Sequence, residues 1–380
     1  MIKYIEVFYV LAFTFLLPYG AFAQHATNTG ESIIDSPRNL SNLAKIASAT
    51  EINLVIQADG IDIGGTLTIP AHQAVSSLVI MSSGSGPQDR DETLDGFKIF
   101  GVLAHYLATE GIASFRFDDR GVGESTGDFA NSTLGDFSED IRRIMAFFKT
   151  YDAHPFKDFI LFGHSLGGIV VGNVAVGNED VKQVILMGAP SVPLIEVISY
   201  QIRQEYVGID IDKSLVEAEV SAHNRLMRAI VETEDLDEPL KVFYESTLAV
   251  LSTTRSEETT NASELQQISR DKTKEMEIVY ALPCIASFLY HDPASTYEQL
   301  QVPVLSLFGG KDLQVTIDQN KDRMENALLR AKNSYHFVTF SDANHYFQAA
   351  ETGKREEYES LAKAFVGGFL EEISAWIIGH

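Results

Sequence analysis

Cysteine is almost absent: Cys284 is the one such residue in 380. A single thiol can neither close an internal disulfide nor supply a multi-cysteine zinc cluster. No His-Glu-x-x-His stretch occurs either, so neither a metal nor another cofactor is expected. Cationic residues are scarce, with 29 Lys plus Arg against 53 Asp plus Glu and a formal net charge of -24. Such a balance repels polyanions and anionic lipid, so nucleic acid is excluded as an expected partner. No apolar run reaches the roughly 20 residues of a membrane-spanning helix, so no stable membrane anchor is expected. Low-complexity signatures are missing too. With 45% hydrophobic and 22% charged residues, the chain is expected to fold compactly. Oligomeric state is left open by the sequence.

What is present begins with an export pattern. Lys3 precedes an apolar run from Val7 to Leu17, bounded by Glu6 and Pro18, and Ala21-Phe22-Ala23 offers small residues for cleavage. A secretory signal peptide over residues 1–23 is the expectation, with a periplasmic or extracellular mature protein. A polar leader, 24–50, follows. Cys284, between apolar neighbours, is expected to be a buried small hydrophobe rather than a reactive thiol.

The pattern then becomes that of a globular α/β chain. Glu51 to Gln57 and Ile61 to Ile69 read as strands joined at Asp59-Gly60, a hairpin signal. Short, wholly apolar runs follow at Leu78 to Met81, Ile112 to Phe117, Phe159 to Phe162, Val184 to Met187 and Val304 to Phe308. Such runs suit strands buried on both faces of a parallel sheet. Between them, Phe97 to Thr109, Leu134 to Thr150 and Leu166 to Val176 carry helical spacing, and the alternation predicts a doubly wound α/β domain. From 191 to 295 the chain reads as helical and strongly acidic: Ile198 to Val207, Ser214 to Val231, Leu240 to Leu251 and Glu264 to Tyr280. This segment is expected to be a cap inserted between core segments 51–190 and 296–380. Tyr335 to Phe340 reads as a further strand and Glu356 to Ile378 as the final helix.

The sharpest motif is Gly163-His164-Ser165-Leu166-Gly167, a G-x-S-x-G pentapeptide. Two Gly and one Ser at fixed positions arise by chance in roughly one chain in ten of this length. Context sharpens it, since an apolar strand ends at Phe162 and a helical pattern starts at Leu166. A strand turning directly into a helix forces the serine into a strained backbone and lifts Oγ above the sheet. Ser165 is therefore the expected nucleophile. A serine hydroxyl needs a base, and the base an orienting acid. Asp312 lies in the loop after Val304 to Phe308, and His345 in the last loop before the final helix, which makes them the expected acid and base. Asp318 is the substitute acid, expected at a helix start, and His336 the substitute base, expected within a strand. His164 is expected to pack, and His105, His154 and His291 to be structural.

Acyl transfer also needs two donors for the developing oxyanion. The Leu166 amide is one. The glycine-bearing turn Ser82-Ser83-Gly84-Ser85-Gly86-Pro87-Gln88-Asp89-Arg90-Asp91 offers the Ser85 amide as the other, with Gly84 as alternative.

Four segments now carry a resemblance: Gly84-Ser85-Gly86-Pro87, Phe117-Asp118-Asp119-Arg120-Gly121-Val122-Gly123-Glu124-Ser125, Gly163 to Gly168, and Gly310-Lys311-Asp312. The chain resembles the α/β-hydrolase superfamily in its serine-aminopeptidase-like and monoacylglycerol-lipase-like branch, and Gly-Ser-Gly-Pro-Gln-Asp-Arg-Asp resembles a subgroup of bacterial esterases. The resemblance implies an α/β-hydrolase fold, a mostly parallel central sheet flanked by helices with an inserted helical cap. It implies that the D-x-R-G-x-G-x-S stretch is a structural loop beside the site. Many relatives have His where Ser83 stands, so the oxyanion turn is expected to be held differently. The function expected is a serine carboxylic ester hydrolase with a small-molecule ester substrate. A serine aminopeptidase or thioesterase is the alternative on the same fold, with Glu232, Glu234, Asp235, Asp237 and Glu238 as candidate ammonium ligands; charge runs, however, usually face water. A noncatalytic binding protein is the alternative of another class.

Overall fold

The computed structural model describes residues 49–71, 76–255 and 261–380. The expected signal peptide, 1–23, and the leader up to residue 48 lie outside the described residues. Strands β1 (Ala49–Ala58) and β2 (Ile61–Pro70) pair antiparallel across Asp59-Gly60, where Gly60 takes a φ of 84°. The chain continues through β3 (Ser77–Ser82), a small hairpin of β4 (Thr93–Leu94) and β5 (Phe97–Lys98), α1 (Ile99–Thr109), β6 (Ala113–Phe117) and α2 (Leu134–Lys149). Then come β7 (Asp158–His164), α3 (Leu166–Ala175) and β8 (Val181–Met187). The main sheet orders its strands β1-β2-β6-β3-β7-β8-β9-β10, the last two being Val304–Gly309 and Tyr335–Phe340. All neighbours from β6 to β10 are parallel; β1, β2 and β6 meet antiparallel.

The continuous apolar strands are explained by where their side chains go. In β3, Leu78 and Ile80 join one core while Val79 and Met81 join another on the opposite face. Helices α1 and α11 (Phe369–Gly379) cover the second face, and α2, α3 and α10 (Ile317–Ala331) the first. A strand with helices on both sides has no face to leave polar.

Between β8 and β9 lie α4 (Leu194–Glu205), α5 (Lys213–Val231), α6 (Asp237–Thr254), α7 (Ala262–Ala281), α8 (Pro283–Leu289) and α9 (Pro293–Tyr297). Their buried residues are continuous with the first core, and hydrogen bonds tie them down: Leu134 N-H donates to Ser287 Oγ at 3.0 Å and Cys284 N-H to Ala130 O at 3.3 Å. Cys284 is buried, and burial pushes its thiol up to about 12.

Three local expectations need correction. The helix expected from Phe97 begins at Ile99, because Phe97 and Lys98 fold back on Thr93 and Leu94 across Asp95-Gly96, both at positive φ (49° and 79°). That Asp-Gly turn is a hairpin signal. The helix expected over Glu356 to Ile378 is divided: Arg355–Ser360 is a 3-10 turn, and α11 starts only after Gly368 at φ 83°. Glu357 helps hold the first piece apart, its carboxylate accepting from the Thr352 and Gly353 amides. The short helices α8 and α9 are additions to the expected set, although proline at their first turns is a start signal.

Candidate active site

At the end of β7, Ser165 adopts φ 51° and ψ -124°, and α3 begins at the next residue. The turn is possible because its flanks lack side chains. A Cβ on Gly163 would lie 2.4 Å from Gly167 O, and one on Gly167 would lie 2.3 Å from Ser82 O. Ser165 N-H donates to Met187 O at 2.9 Å, fixing the turn to the neighbouring strand. Six strained dihedrals of non-glycine type occur among the described residues, and Ser165 and Glu92 are the pair that border one cleft.

Asp312 and His345 are brought together from loops after β9 and β10. Close backbone approach does this: a Cβ on Gly309 would meet Ala343 O at 2.6 Å, and one on Gly310 would meet Ser341 O at 2.5 Å. Asp312 Oδ1 accepts from the amides of Gln314 (2.8 Å) and Val315 (3.0 Å), which aims Oδ2 at the ring of His345. His345 Nδ1-H donates to that oxygen at 2.7 Å. This fixes the tautomer and leaves Nε2 with a lone pair. The His345 loop is itself fixed by Asn344, whose Oδ1 accepts from the amides of Tyr346 (3.0 Å) and Gln348 (2.9 Å). Ser165 and His345 line one cleft; no hydrogen bond joins the Ser165 hydroxyl to the ring among the described residues. Such contacts are commonly long in an unliganded site and close on substrate binding. The substitutes stand elsewhere: Asp318 is in the first turn of α10, and His336 is exposed on β10 beside Glu372.

Ser85 and Leu166 border the same space as Ser165. Gly84, the alternative donor, has its amide committed to Glu92 Oε1 at 2.7 Å. The turn is held in the way its sequence lacks a histidine for: Ser83 Oγ-H donates to Asp119 Oδ2 at 3.0 Å, and Gln88 N-H to the same oxygen at 2.8 Å. Asp118 takes the Arg90 amide at 2.8 Å together with the Arg90 guanidinium. Burial alone would raise the Asp118 carboxyl, yet the Arg90 contacts outweigh it and hold it below the usual range. Asp119 has no such cation, and burial pushes it up to about 8. Arg120 grips Asp140 on α2, and Ser125 Oγ-H donates to Asp118 O at 2.7 Å. The Asp118 to Ser125 stretch thus braces the Ser82 to Asp91 turn.

The space around Ser165 has two characters. Toward the cap, a narrow compartment of about 50 Å³ is walled by Leu194, Val197, Ile198, Ile285 and Val315. On the other side, the cleft holding His345 is lined by Gln88, Asp89, Thr93, Tyr346 and Arg355, with the Arg355 guanidinium paired to Asp95 at 2.6 Å. Sequence reasoning missed Arg355 and Glu92. Both act across long stretches of chain, and neither stands in a motif. Of the five candidate ammonium ligands, all are exposed around the α5–α6 turn, and none lines the space at Ser165. Among the described residues no group of His, Cys, Asp and Glu is arranged to hold a metal, and no helix is long and apolar enough to cross a membrane.

Parts of the chain are similar to known proteins. A family model described as serine aminopeptidase, S33, matches residues 96–223, which include Ser165, and one described as the dienelactone hydrolase family matches 285–368, which include Asp312 and His345. Residues 224–284, the middle of the cap, fall in neither match. Esterase EstD of Thermotoga maritima is 25% identical over 319 residues, covering 83% of this chain. The chain spans 65% of that curated relative's own length. Among solved structures, an esterase of Pyrococcus furiosus shares 13% identity at a TM-score of 0.48, covering 84% of this chain and 90% of its own. Est1E of Butyrivibrio proteoclasticus, with ferulic acid bound, shares 16% at 0.46, covering 85% and 96%. With a mostly parallel eight-stranded sheet, a serine elbow after β7 and an acid and a histidine after β9 and β10, the chain has the α/β-hydrolase fold and resembles the serine aminopeptidase and dienelactone hydrolase families over separate parts of its length.

Proposed function

We propose that the chain is a serine hydrolase of carboxylic esters, with Ser165 as nucleophile, His345 as general base and acid, and Asp312 as its orienting carboxylate. The observation that carries this is the 2.7 Å bond from His345 Nδ1 to Asp312, in a cleft shared with a serine at positive φ on a strand-to-helix elbow. His345 Nε2 takes the hydroxyl proton as Oγ attacks the ester carbonyl. The amides of Ser85 and Leu166 hold the tetrahedral oxyanion, where removal of one such donor typically costs about 10²–10³ in kcat. The alkoxide leaves with the proton from His345, and a water activated by the same ring releases the acid from the acyl-enzyme. The reaction as written uses no metal or cofactor.

The two compartments suggest an orientation. The apolar one against α4 suits the acyl chain, and the polar cleft with Gln88, Tyr346 and Arg355 suits the alcohol. The family description as serine aminopeptidase is what keeps amide hydrolysis as a second reading. The exposed position of Glu232, Glu234, Asp235, Asp237 and Glu238 gives it no ammonium site at Ser165.

The test compares mature protein with Ser165→Ala on acyl esters of graded length, acyl-thioesters and aminoacyl anilides, with labelling by a serine-directed phosphonate. Ester turnover with labelling at Ser165, both abolished in the variant, is expected. No turnover and no label would overturn the reading in favour of a binding protein, and faster anilide than ester turnover would favour the peptidase. We propose export as well, from the residue 1–23 pattern; an N-terminus at Gln24 in the secreted or periplasmic protein is the expected result, and retention of Met1 there would refute it.

A further inference from the structure

Glu92 and His164 border the cleft of Ser165 and His345 and take no part in the mechanism above. Glu92 is fully buried at φ 47°, a conformation costly for a residue with a side chain. Its turn is closed by Glu92 N-H donating to Asp89 O at 2.8 Å and by Asp89 Oδ1 accepting from Thr93 N-H at 3.0 Å. The strain therefore places one atom, Oε1, where two donors converge. Gly84 N-H reaches it at 2.7 Å and the His164 ring nitrogen Nδ1 at 2.8 Å. The other ring nitrogen of His164, Nε2, sits 3.0 Å from the backbone oxygen of His345.

The protons follow from these partners. A carboxylate oxygen already receiving a backbone N-H is an acceptor, so the proton in the Nδ1 contact belongs to the ring. A carbonyl oxygen has only lone pairs to offer, so the proton in the Nε2 contact belongs to the ring as well. A histidine donating from both nitrogens is an imidazolium. We infer that Glu92 and His164 form a buried carboxylate–imidazolium pair that couples the oxyanion turn to the His345 loop, each acting as a positioning residue for the proposed reaction.

The coupling is short and branched. From Oε1 one arm runs through the Gly84 amide to Ser85, the proposed oxyanion donor; the other runs through the His164 ring to the main chain of the proposed base. The second arm joins distant parts of the chain, its two contacts spanning 72 and 181 residues of sequence. Groups facing the His164 ring are Glu92, the His345 ring at 4.8 Å, the Tyr346 ring at 6.4 Å and, beyond His345, the Asp312 carboxylate. Burial opposes charge on this ring, but Glu92 and the His345 carbonyl more than offset it, leaving its pKa above the ordinary histidine value. Replacing the carboxylate by an amide removes the single charged oxygen on which both arms converge. The amide oxygen can keep Gly84 N-H, but the ring then loses its counter-charge; a neutral ring must turn a lone pair either to the new amide or to the His345 carbonyl.

The inference rests on the proposed function for its consequence in catalysis, though not for its structural content, and two measurements separate them. In wild-type protein labelled with 15N in histidine rings, His164 is assigned by the resonance lost in His164→Gln. Both of its nitrogens should be protonated without titration between about pH 5.5 and 8.5, where an ordinary histidine would titrate. A neutral tautomer, or titration within that interval, overturns the pair. In Glu92→Gln, with folding checked by circular dichroism, His164 should titrate and kcat should fall roughly 10- to 100-fold with KM nearly unchanged, as expected when reacting groups are displaced without loss of a substrate contact. A kcat within about twofold of wild type together with a still doubly protonated ring overturns it. Should Glu92→Gln fail to fold, the wild-type nitrogen spectrum alone decides. Absence of esterase turnover in the wild type would sink the functional reading and leave the nitrogen measurement untouched.

Discussion

Two of the buried polar groups among the described residues, one beside Ser165 and one in the cap, are anchored in different ways. In the core, carboxylates near Ser165 accept from main-chain amides: Glu92 from Gly84, Asp119 from Gln88, Asp118 from Arg90 and Asp312 from Gln314 and Val315. In the cap, the buried set joins α4, α5 and α7 through side chains. Tyr206 OH donates to Glu219, Lys272 Nζ stands 3.9 Å from the same carboxylate, and His223 Nδ1 meets Tyr280 OH at 2.6 Å. A carboxylate bonded to an amide fixes a loop's path. One bonded only to other side chains, like Glu219, fixes how helices lie together. Core charge thus sets geometry at the site, whereas cap charge sets how firmly the helices over it are held.

The sharpest break of the comparison is in the core. Asp312→Asn should lower kcat by about 10⁴, as replacement of the acid does in other triads. The local reason is specific. The Gln314 and Val315 amides claim an oxygen, so the asparagine must turn its NH₂ toward His345 Nδ1. The ring then carries its proton on Nε2, facing Ser165, and cannot accept one. Thermal stability should stay within a few degrees of wild type. A kcat loss below about tenfold would show that Asp312 does not orient the base.

The legibility of these two regions from sequence differs for the same reason. Ser165, Asp312 and His345 stand in stretches whose local chemistry announces them: an apolar strand before Gly163, Gly309-Gly310 before Asp312, and a loop after β10. The strand and helix alternation was equally local, because each apolar strand is buried on both faces. Glu92 was not legible. Nothing beside it in the chain reveals a partner at His164, and its positive φ is set by the Asp89 turn rather than by its own residue type. The broken C-terminal helix is a different case. Gly367-Gly368 is a stop signal that helical spacing around it had masked.

A smaller effect should appear in the cap. Burial pushes Glu205 up from an ordinary 4.5 to about 9, and Glu219 is raised by burial as well, against the pull of Lys272. A carboxyl with a raised folded-state pKa contributes stability that is complete below about pH 4.5 and is lost as pH rises toward about 9. Burial lowers Lys272 to about 8, so its opposing contribution grows only above that pH, toward its unfolded value of 10.5. Burial also holds His223 well below the ordinary histidine value, so it opposes the carboxylates below about pH 6.5; between about pH 6.5 and 8 the carboxylates govern, and the cap's contribution to the Tm should fall as pH rises. Glu205→Gln should flatten that slope and raise the Tm near pH 8 by a few degrees, of the order of 1 kcal/mol. An unchanged slope by differential scanning calorimetry would remove Glu205 from the account.

The smallest effect expected is at the acidic run 232–238, and its smallness is informative. Its carboxylates are exposed, two of them border a shallow surface hollow with Arg225 and Arg228, and none reaches the space at Ser165. Exposed charges away from caps and networks change stability by less than about 0.5 kcal/mol. Neutralising Glu232 and Glu234 together, and leaving Asp235, whose carboxylate accepts from the first amide of α6, should thus leave both Tm and the ratio of anilide to ester turnover unchanged. A selective loss of anilide turnover would mean that the cap carries these carboxylates to the substrate's amino end, and would move the chain toward peptide chemistry. If nothing changes, the acidity of the cap surface has no part in choosing substrates, and that choice falls to the apolar wall of Leu194, Val197 and Ile198 beside the serine.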